Sequence, residues 1–412
     1  SSSPFADRLQ PRDSVHPTAL LFAPSEQTLD QVLARRARHS PDAPFLAFQG
    51  YAPLSFAATW SATLDLAFAL QRAGVAPGDR VVTLGRNAVE GVLLWFAVEA
   101  LGAVDCPINP AFSGQPLRHA INLVEAGLVI VHPELTAALD ALAGELPQVA
   151  HCLVYPATGT LPATVAGKAA AGLRPSSERP PDWRPAGAKP SDLCSILFTS
   201  GTTGPSKGAM VTHAQAFATA LQTVNGLRLT AADTMFCAHP LFHMSPRFCA
   251  VYAAMLTGVQ VNYDAGFVPA AWIARIRATG ATVTIGHGPL LEMIHAEPAR
   301  ADDADTRLTR IGTSPFPKHI AADFERRFGV KGIETWGMTE VNIPCWHPYD
   351  EPLRPGSCGK VLEQDYEFQV VDPDTDEPLP AGRVGEFVVR AKRPWLISPG
   401  YYGNPEATWR AW

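Results

Sequence analysis

Two kinds of hydrophobic spacing alternate along this chain. Residues 28–39 place Leu29, Val32 and Leu33 on one helical face, and residues 54–70 carry a face of Ala, Leu and Phe at the same period. Both stretches predict helices. A loop over 74–80 leads into the apolar run 81–84, a predicted strand. A helix over 88–102, a strand near 103–107, a helix around 117–125 and a strand over 127–131 follow. From residue 193 the alternation resumes, with strands expected at 193–198, 234–238, 258–263, 281–286, 308–312 and 332–335. Strands alternating with helices predict parallel sheets covered on both faces. Six prolines between 162 and 190 interrupt the pattern and predict a surface linker. Beyond Pro352 the texture changes to short strands, at 366–372 and 384–390, which suggests a small β-barrel or meander. The expected fold class is α/β: two doubly wound αβα subdomains over 1–190 and 191–350, then a β-barrel subdomain over 351–412.

The strand at 193–198 delivers the stretch Thr199-Ser200-Gly201-Thr202-Thr203-Gly204-Pro205-Ser206-Lys207-Gly208. Three glycines let the main chain approach an anion, hydroxyls add donors, and Lys207 adds a mobile positive charge. Each such bond to a charged phosphate contributes about 1.5–3 kcal/mol, so the loop suits a polyphosphate. A P-loop NTPase would need Gly immediately before the Lys and Ser or Thr immediately after. Those places hold Ser206 and Gly208.

Charge and cysteine usage narrow the classes further. Thirty-three basic against 39 acidic residues give a net charge of −6, which argues against nucleic acid as the main partner. The seven cysteines are scattered and never form a Cys-x-x-Cys pair, the pattern of reduced thiols in a cytoplasmic protein. The longest apolar run, 91–104, contains Glu99 and is shorter than the roughly 20 residues a membrane span needs.

The phosphate stretch resembles the signature loop of the adenylate-forming enzymes, the family of acyl-CoA and aryl-CoA ligases, peptide-synthetase adenylation domains and luciferases. Thr335-Trp336-Gly337-Met338-Thr339-Glu340, after Glu334, resembles that family's aromatic-Gly-x-Thr-Glu motif, and Gly312-Thr313-Ser314-Pro315 its adenine-binding turn. The resemblance covers nearly the whole chain and implies the fold of an acyl-CoA synthetase N-terminal domain. It implies that Trp336 flanks adenine, Thr339 bonds the α-phosphate and Glu340 holds Mg2+, with Thr199 a second metal candidate. A hard cation beside phosphates ordinarily takes one or two carboxylates. Leu241-Phe-His-Met244 resembles the family's gate between acyl and pantetheine pockets, which makes His243 a candidate for contacting the carboxylate or gating thiol entry. The histidines nearby lack zinc-ligand spacing. By the same resemblance Met244, Phe248, Pro289, Phe316 and Met338, with Arg247 and His287, are expected around the acid.

The reaction so implied activates a carboxylic acid with ATP to an acyl-adenylate and passes the acyl group to CoA. A carrier-loading adenylation domain and an adenylate-binding protein that performs one half-reaction are the alternatives, and a homodimer is one open assembly state. In the family a small lid domain of roughly 100 residues carries the adenylation lysine. Gly400-Tyr-Tyr-Gly-Asn-Pro-Glu406 matches the approach to the ribose-binding Asp, so this lid is expected to be absent from the chain ending at Trp412.

Overall fold

The computed structural model describes residues 22–199 and 205–412. In the first of its two large sheets, Arg80–Leu84, Val104–Pro107, Leu128–Val131 and His151–Val154 run parallel. All of Leu128–Val131 is buried, as a strand covered on both faces requires. Leu193–Thr199 joins beside Val104–Pro107, and Lys207–Thr212 closes that edge antiparallel. The second sheet is built on the parallel strands Thr234–Cys237, Gln260–Tyr263, Val283–Gly286, Arg310–Thr313 and Lys331–Met338. Asn342–Trp346 and Lys360–Val361 return antiparallel at one edge, and Pro44–Phe48 lies parallel at the other.

Several expectations are corrected by this topology. The strands flanking the phosphate loop extend the first sheet, not the second, because their hydrogen bonds go to Val104–Pro107. Pro44–Phe48 belongs to the second sheet although it precedes the whole first sheet in sequence. The supposed linker contains Thr164–Val165 and Lys168–Gly172, an Ala-rich hairpin that continues the first sheet beside His151–Val154. Further along it, Trp183 packs edge-on against Phe68 at 5.2 Å and Arg179 pairs with Asp65 at 2.8 Å, so the segment is fastened to the helix Phe56–Arg72. Beyond 351, besides Lys360–Val361 and the helix Pro405–Ala411, the described residues contain a two-stranded antiparallel ribbon, Tyr366–Val371 with Glu386–Ala391.

One helix joins the two sheets. Val89–Ala100 is buried on nearly every side: Leu93, Leu94, Ala97 and Val98 face the first-sheet core, and Val92, Trp95 and Phe96 face a core shared with the second. Between those faces sits Glu99, whose Oε1 accepts from Trp95 Nε1 at 2.6 Å and from Ser195 Oγ at 2.9 Å. Burial pushes its carboxyl up to about 8. Nearby, burial lowers His213 to about 4, and burial, with His287 and His243 beside it, lowers His239 to about 3.

These shifts set a stability profile. Below pH 6.5 the unfolded chain protonates both histidines while the folded chain resists, so stability is lost as pH falls toward 4. Glu99 works oppositely: its folded pKa lies above the unfolded value of 4.5, so stability is lost as pH rises through about 8. Each group contributes about 1.4 kcal/mol per pH unit within its window. Taken among these three groups, two histidines outweigh one glutamate below pH 6.5, and above it the loss at Glu99 is opposed by Cys358, which is lowered to about 7 by its hydrogen bond with Cys345. Melting temperature is therefore expected to rise from pH 4 to about 6.5 and to level off above it. A curve that climbs steadily from pH 6.5 to 8 contradicts the assignment of Glu99.

Candidate active site

The hairpin Leu193–Thr199 with Lys207–Thr212 positions the phosphate loop by register: Thr199 pairs with Lys207 and Phe198 with Gly208. Gly208 is required there, because a Cβ would lie 2.7 Å from Ile196 Cγ2. The loop residues Ser200, Gly201, Thr202, Thr203 and Gly204 lie outside the described residues. Thr199 ends the first strand half-buried, its Oγ1 3.5 Å from the Lys207 carbonyl.

A segment far along the chain then docks on the hairpin's free edge. Tyr402 N–H donates to Gly208 O at 2.8 Å, Met210 N–H donates to Gly400 O at 3.0 Å, and Tyr401 bridges Ala209. This places the Tyr401 ring 4.7 Å below the Lys207 ammonium, within cation–π range. The same tyrosine donates its hydroxyl to Glu340 Oε1 at 2.6 Å. Burial and the Glu340 carboxylate push its pKa up, which keeps it a donor. Lys207 and Glu340, which sit on different sheets, thus meet across one phenol.

Glu340 and Thr339 occupy the turn between Lys331–Met338 and Asn342–Trp346. Glu340 is buried, and its carbonyl accepts from Ser398 N–H at 2.8 Å. The Thr339 carbonyl accepts from Gln215 Nε2 at 2.7 Å. Gly337 permits the hairpin to close, since a Cβ would stand 2.1 Å from the Asn342 carbonyl oxygen. Trp336 is half-buried and packs edge-on against Phe368 and Phe387 of the ribbon, at 5.9 and 5.4 Å.

The strand Arg310–Thr313 brings the adenine turn alongside, with Thr313 in register with Glu334. Thr313 Oγ1 donates to Pro315 O at 2.9 Å, and Thr335 Oγ1 donates to Thr313 O at 3.3 Å, which stiffens the turn. Glu334 accepts from the Phe316 backbone, yet its Oε2 is buried without a partner among the described residues. Burial raises its pKa.

Under this turn lies a cavity of about 160 Å³. Met244, Cys249, Gly312, Ser314, Gly337 and Trp346 are among the residues that line it. Only Met244 of the expected acyl-pocket side chains is there. Phe248 and Phe316 are buried in hydrophobic cores, and Met338, also a cofactor candidate, is 45% exposed. Arg247 is buried but turned to Asp105, its partner at 2.6 Å. Pro289 and His287 are exposed and do not line it. His243 sits in the turn before Met244, its ring 4.2 Å from Phe242, with its pKa lowered by desolvation and by His287. Tyr401, Gln215 and Trp346 are the site residues that sequence patterns missed. Gly400-Tyr-Tyr-Gly marked the first as part of a motif but gave no sign of its contacts.

The profile described as AMP-binding enzyme matches residues 33–402. The chain belongs to that family. A feruloyl-CoA synthase of Amycolatopsis sp is 30% identical over 378 residues, covering 91% of this chain and 71% of that protein. 4-Coumarate–CoA ligase 2 of Oryza sativa subsp. japonica is 30% identical over 411 residues, with 93% and 70% covered. The crystal structure of ATP-bound MatB from Rhodopseudomonas palustris superposes with a TM-score of 0.77 at 26% identity, covering 92% of this chain and 73% of that one. This member of the family is an AMP-forming acyl-CoA ligase. ATP and CoA are its co-substrates, and a carboxylic acid is what it activates. No helix among the described residues is long and apolar enough to cross a membrane.

Proposed function

We propose that adenylation takes place where Tyr401 joins Lys207 to Glu340. A carboxylate oxygen of the acid attacks the α-phosphorus of ATP, an O–P bond forms, and pyrophosphate departs with the electron pair of the broken Pα–O bond. A thiolate then attacks the acyl carbon and AMP leaves. Negative charge gathers at phosphorus in the first step, so the side chains that matter are donors and cations, not a nucleophile.

In this reading the residues divide the work as follows. Lys207 and the loop amides and hydroxyls of 199–204 bind the polyphosphate, and Thr339 turns its hydroxyl to the α-phosphate. Glu334, with an unpartnered buried oxygen, offers an acceptor to the exocyclic amine of adenine beside Gly312, Thr313 and Ser314. Thr335, Trp336, Gly337 and Met338 complete that wall. His243 guards the passage between acid and thiol. Mg2+ fits the donor set: Tyr401 occupies only one oxygen of Glu340, leaving a hard oxygen ligand beside the phosphate hairpin, with Thr199 nearby on that hairpin. When bound, the ion would neutralise charge on the phosphates. Free cysteines, six of the seven buried, suit a reducing cytoplasm.

The observation that carries this reading is the Lys207–Tyr401–Glu340 contact. Pyrophosphate exchange with a panel of acids, followed by detection of CoA thioesters, tests it. Thioester formed only on a carrier protein would favour the carrier-loading alternative. Lys207→Ala is expected to raise the Kd for ATP by 10- to 100-fold with the melting transition retained, since a charge-assisted bond contributes about 1.5–3 kcal/mol. An unchanged Kd in calorimetric titration removes Lys207 from the site.

A further inference from the structure

The cavity beneath the adenine turn is open on one side, and Trp346 forms one of its walls. Trp346, on the strand Asn342–Trp346, is 6% exposed and donates its indole N–H to Ile343 O at 2.9 Å, which fixes the ring plane. Its back lies on Gly226, the last residue of the helix His213–Gly226, where a Cβ would stand 2.2 Å from the ring. The next residue, Leu227, forms the neighbouring wall, 3.0 Å from where a Gly312 Cβ would be. Neither wall has room to retreat. On the far side of Trp346 a second cavity of about 310 Å³ opens among Asn225, Arg228, Tyr349, Lys360 and Arg393. Trp346 is the residue common to both linings.

We infer that this ligase takes a compact, uncharged acid, with a tail no larger than one six-membered ring or a chain of about six carbons, and that Trp346 sets that limit. The inference rests on the adenylation reading above and names the substrate class for it. Two observations carry it. A cavity of about 150 Å³ is filled by benzene, and this one measures about 160 Å³. Among the described residues no Asp, Glu, Lys, Arg or His lines it, so a second carboxylate, a sulfonate or an ammonium on the tail would lie there unpaired. Removing the indole joins the two cavities and gives a longer tail a way through.

Hydrolysis-resistant acyl-sulfamoyl adenosines test the limit by calorimetry on the whole chain, with benzoyl, hexanoyl, lauroyl and succinyl tails. The benzoyl and hexanoyl analogues are expected to bind at least 100-fold more tightly than the lauroyl and succinyl ones. Trp346→Ala is expected to narrow the lauroyl-to-hexanoyl gap at least ten-fold. Gly226→Ala, whose Cβ would press on the indole, is expected to weaken the benzoyl analogue more than the succinyl one. Tight lauroyl or succinyl binding by the unaltered chain overturns the inference, as does a gap unmoved in a folded Trp346→Ala protein. If that variant does not fold, the selectivity of the unaltered chain decides. Should all four analogues bind alike, the size limit falls while the adenylate site stands. If none binds, the adenylate site falls and takes the limit with it.

Discussion

Glu340→Gln is expected to lower the rate of adenylate formation by 100- to 1,000-fold while leaving the fold intact. The amide keeps the shape of the carboxylate and can still accept the Tyr401 hydroxyl, which lies 2.6 Å away. The buried turn is therefore undisturbed, and only the charge is lost. That charge is what a hard cation beside a triphosphate requires. Losing one preorganised electrostatic contact at a charge-developing centre costs about 2.7–4 kcal/mol of barrier, which is the stated factor. Tyr401→Phe separates position from charge. It leaves the carboxylate but frees it to rotate, so a loss of about 10-fold is expected, with the half-saturating Mg2+ concentration raised. Pyrophosphate exchange across a Mg2+ titration reads both. Full activity of Glu340→Gln with an unshifted titration removes this residue from the metal role and leaves the hairpin turn a structural feature alone.

The contrast between Glu340 and Tyr401 illustrates what the residue pattern can carry. Glu340 sits in a compact motif whose chemistry is local, so it was readable in one dimension. Tyr401 acts only because residues 400–402 add to the free edge of Lys207–Thr212, nearly 200 positions earlier. Nothing near Tyr401 signals that pairing. The sheets follow the same rule. Runs such as Leu128–Val131 and Val283–Gly286 are buried throughout and announce themselves by composition. Pro44–Phe48 is equally apolar, but its partner Gln260–Tyr263 is more than 200 residues away, and turn signals on either side masked it. Lys168–Gly172 was lost for another reason: three alanines and flanking prolines carry little strand propensity, and sheet pairing overrides it. Trp346 lies just beyond the motif segment, and its importance comes from Gly226 behind it, on a helix that no motif touches.

The largest loss of stability is expected at Arg247, a residue first assigned to substrate. Arg247→Leu should destabilise the protein by about 3–5 kcal/mol, the cost of leaving a buried partner charge alone. That partner, Asp105, has a fully buried side chain, sits on the strand Val104–Pro107 of the first sheet and also accepts from Thr83 Oγ1 at 2.7 Å. Arg247 itself lies in the helical segment Ser245–Tyr252, donates to the Leu241 carbonyl and rests 4.7 Å from the Trp95 ring centroid. The pair thus ties the first sheet to the segment that carries Ser245 and Cys249 to the cavity beneath the adenine turn. Asp105→Asn removes the stranded charge, so adding it to Arg247→Leu should recover at least 1 kcal/mol, a sign opposite to additivity. Denaturant unfolding of the two single variants and the double variant measures this directly. Where enough Arg247→Leu protein folds, affinity for the acid should fall more than affinity for ATP, because the cavity wall shifts while the phosphate hairpin keeps its own contacts. Single-variant losses below 1 kcal/mol that simply add would show that the pair does not hold the two sheets together.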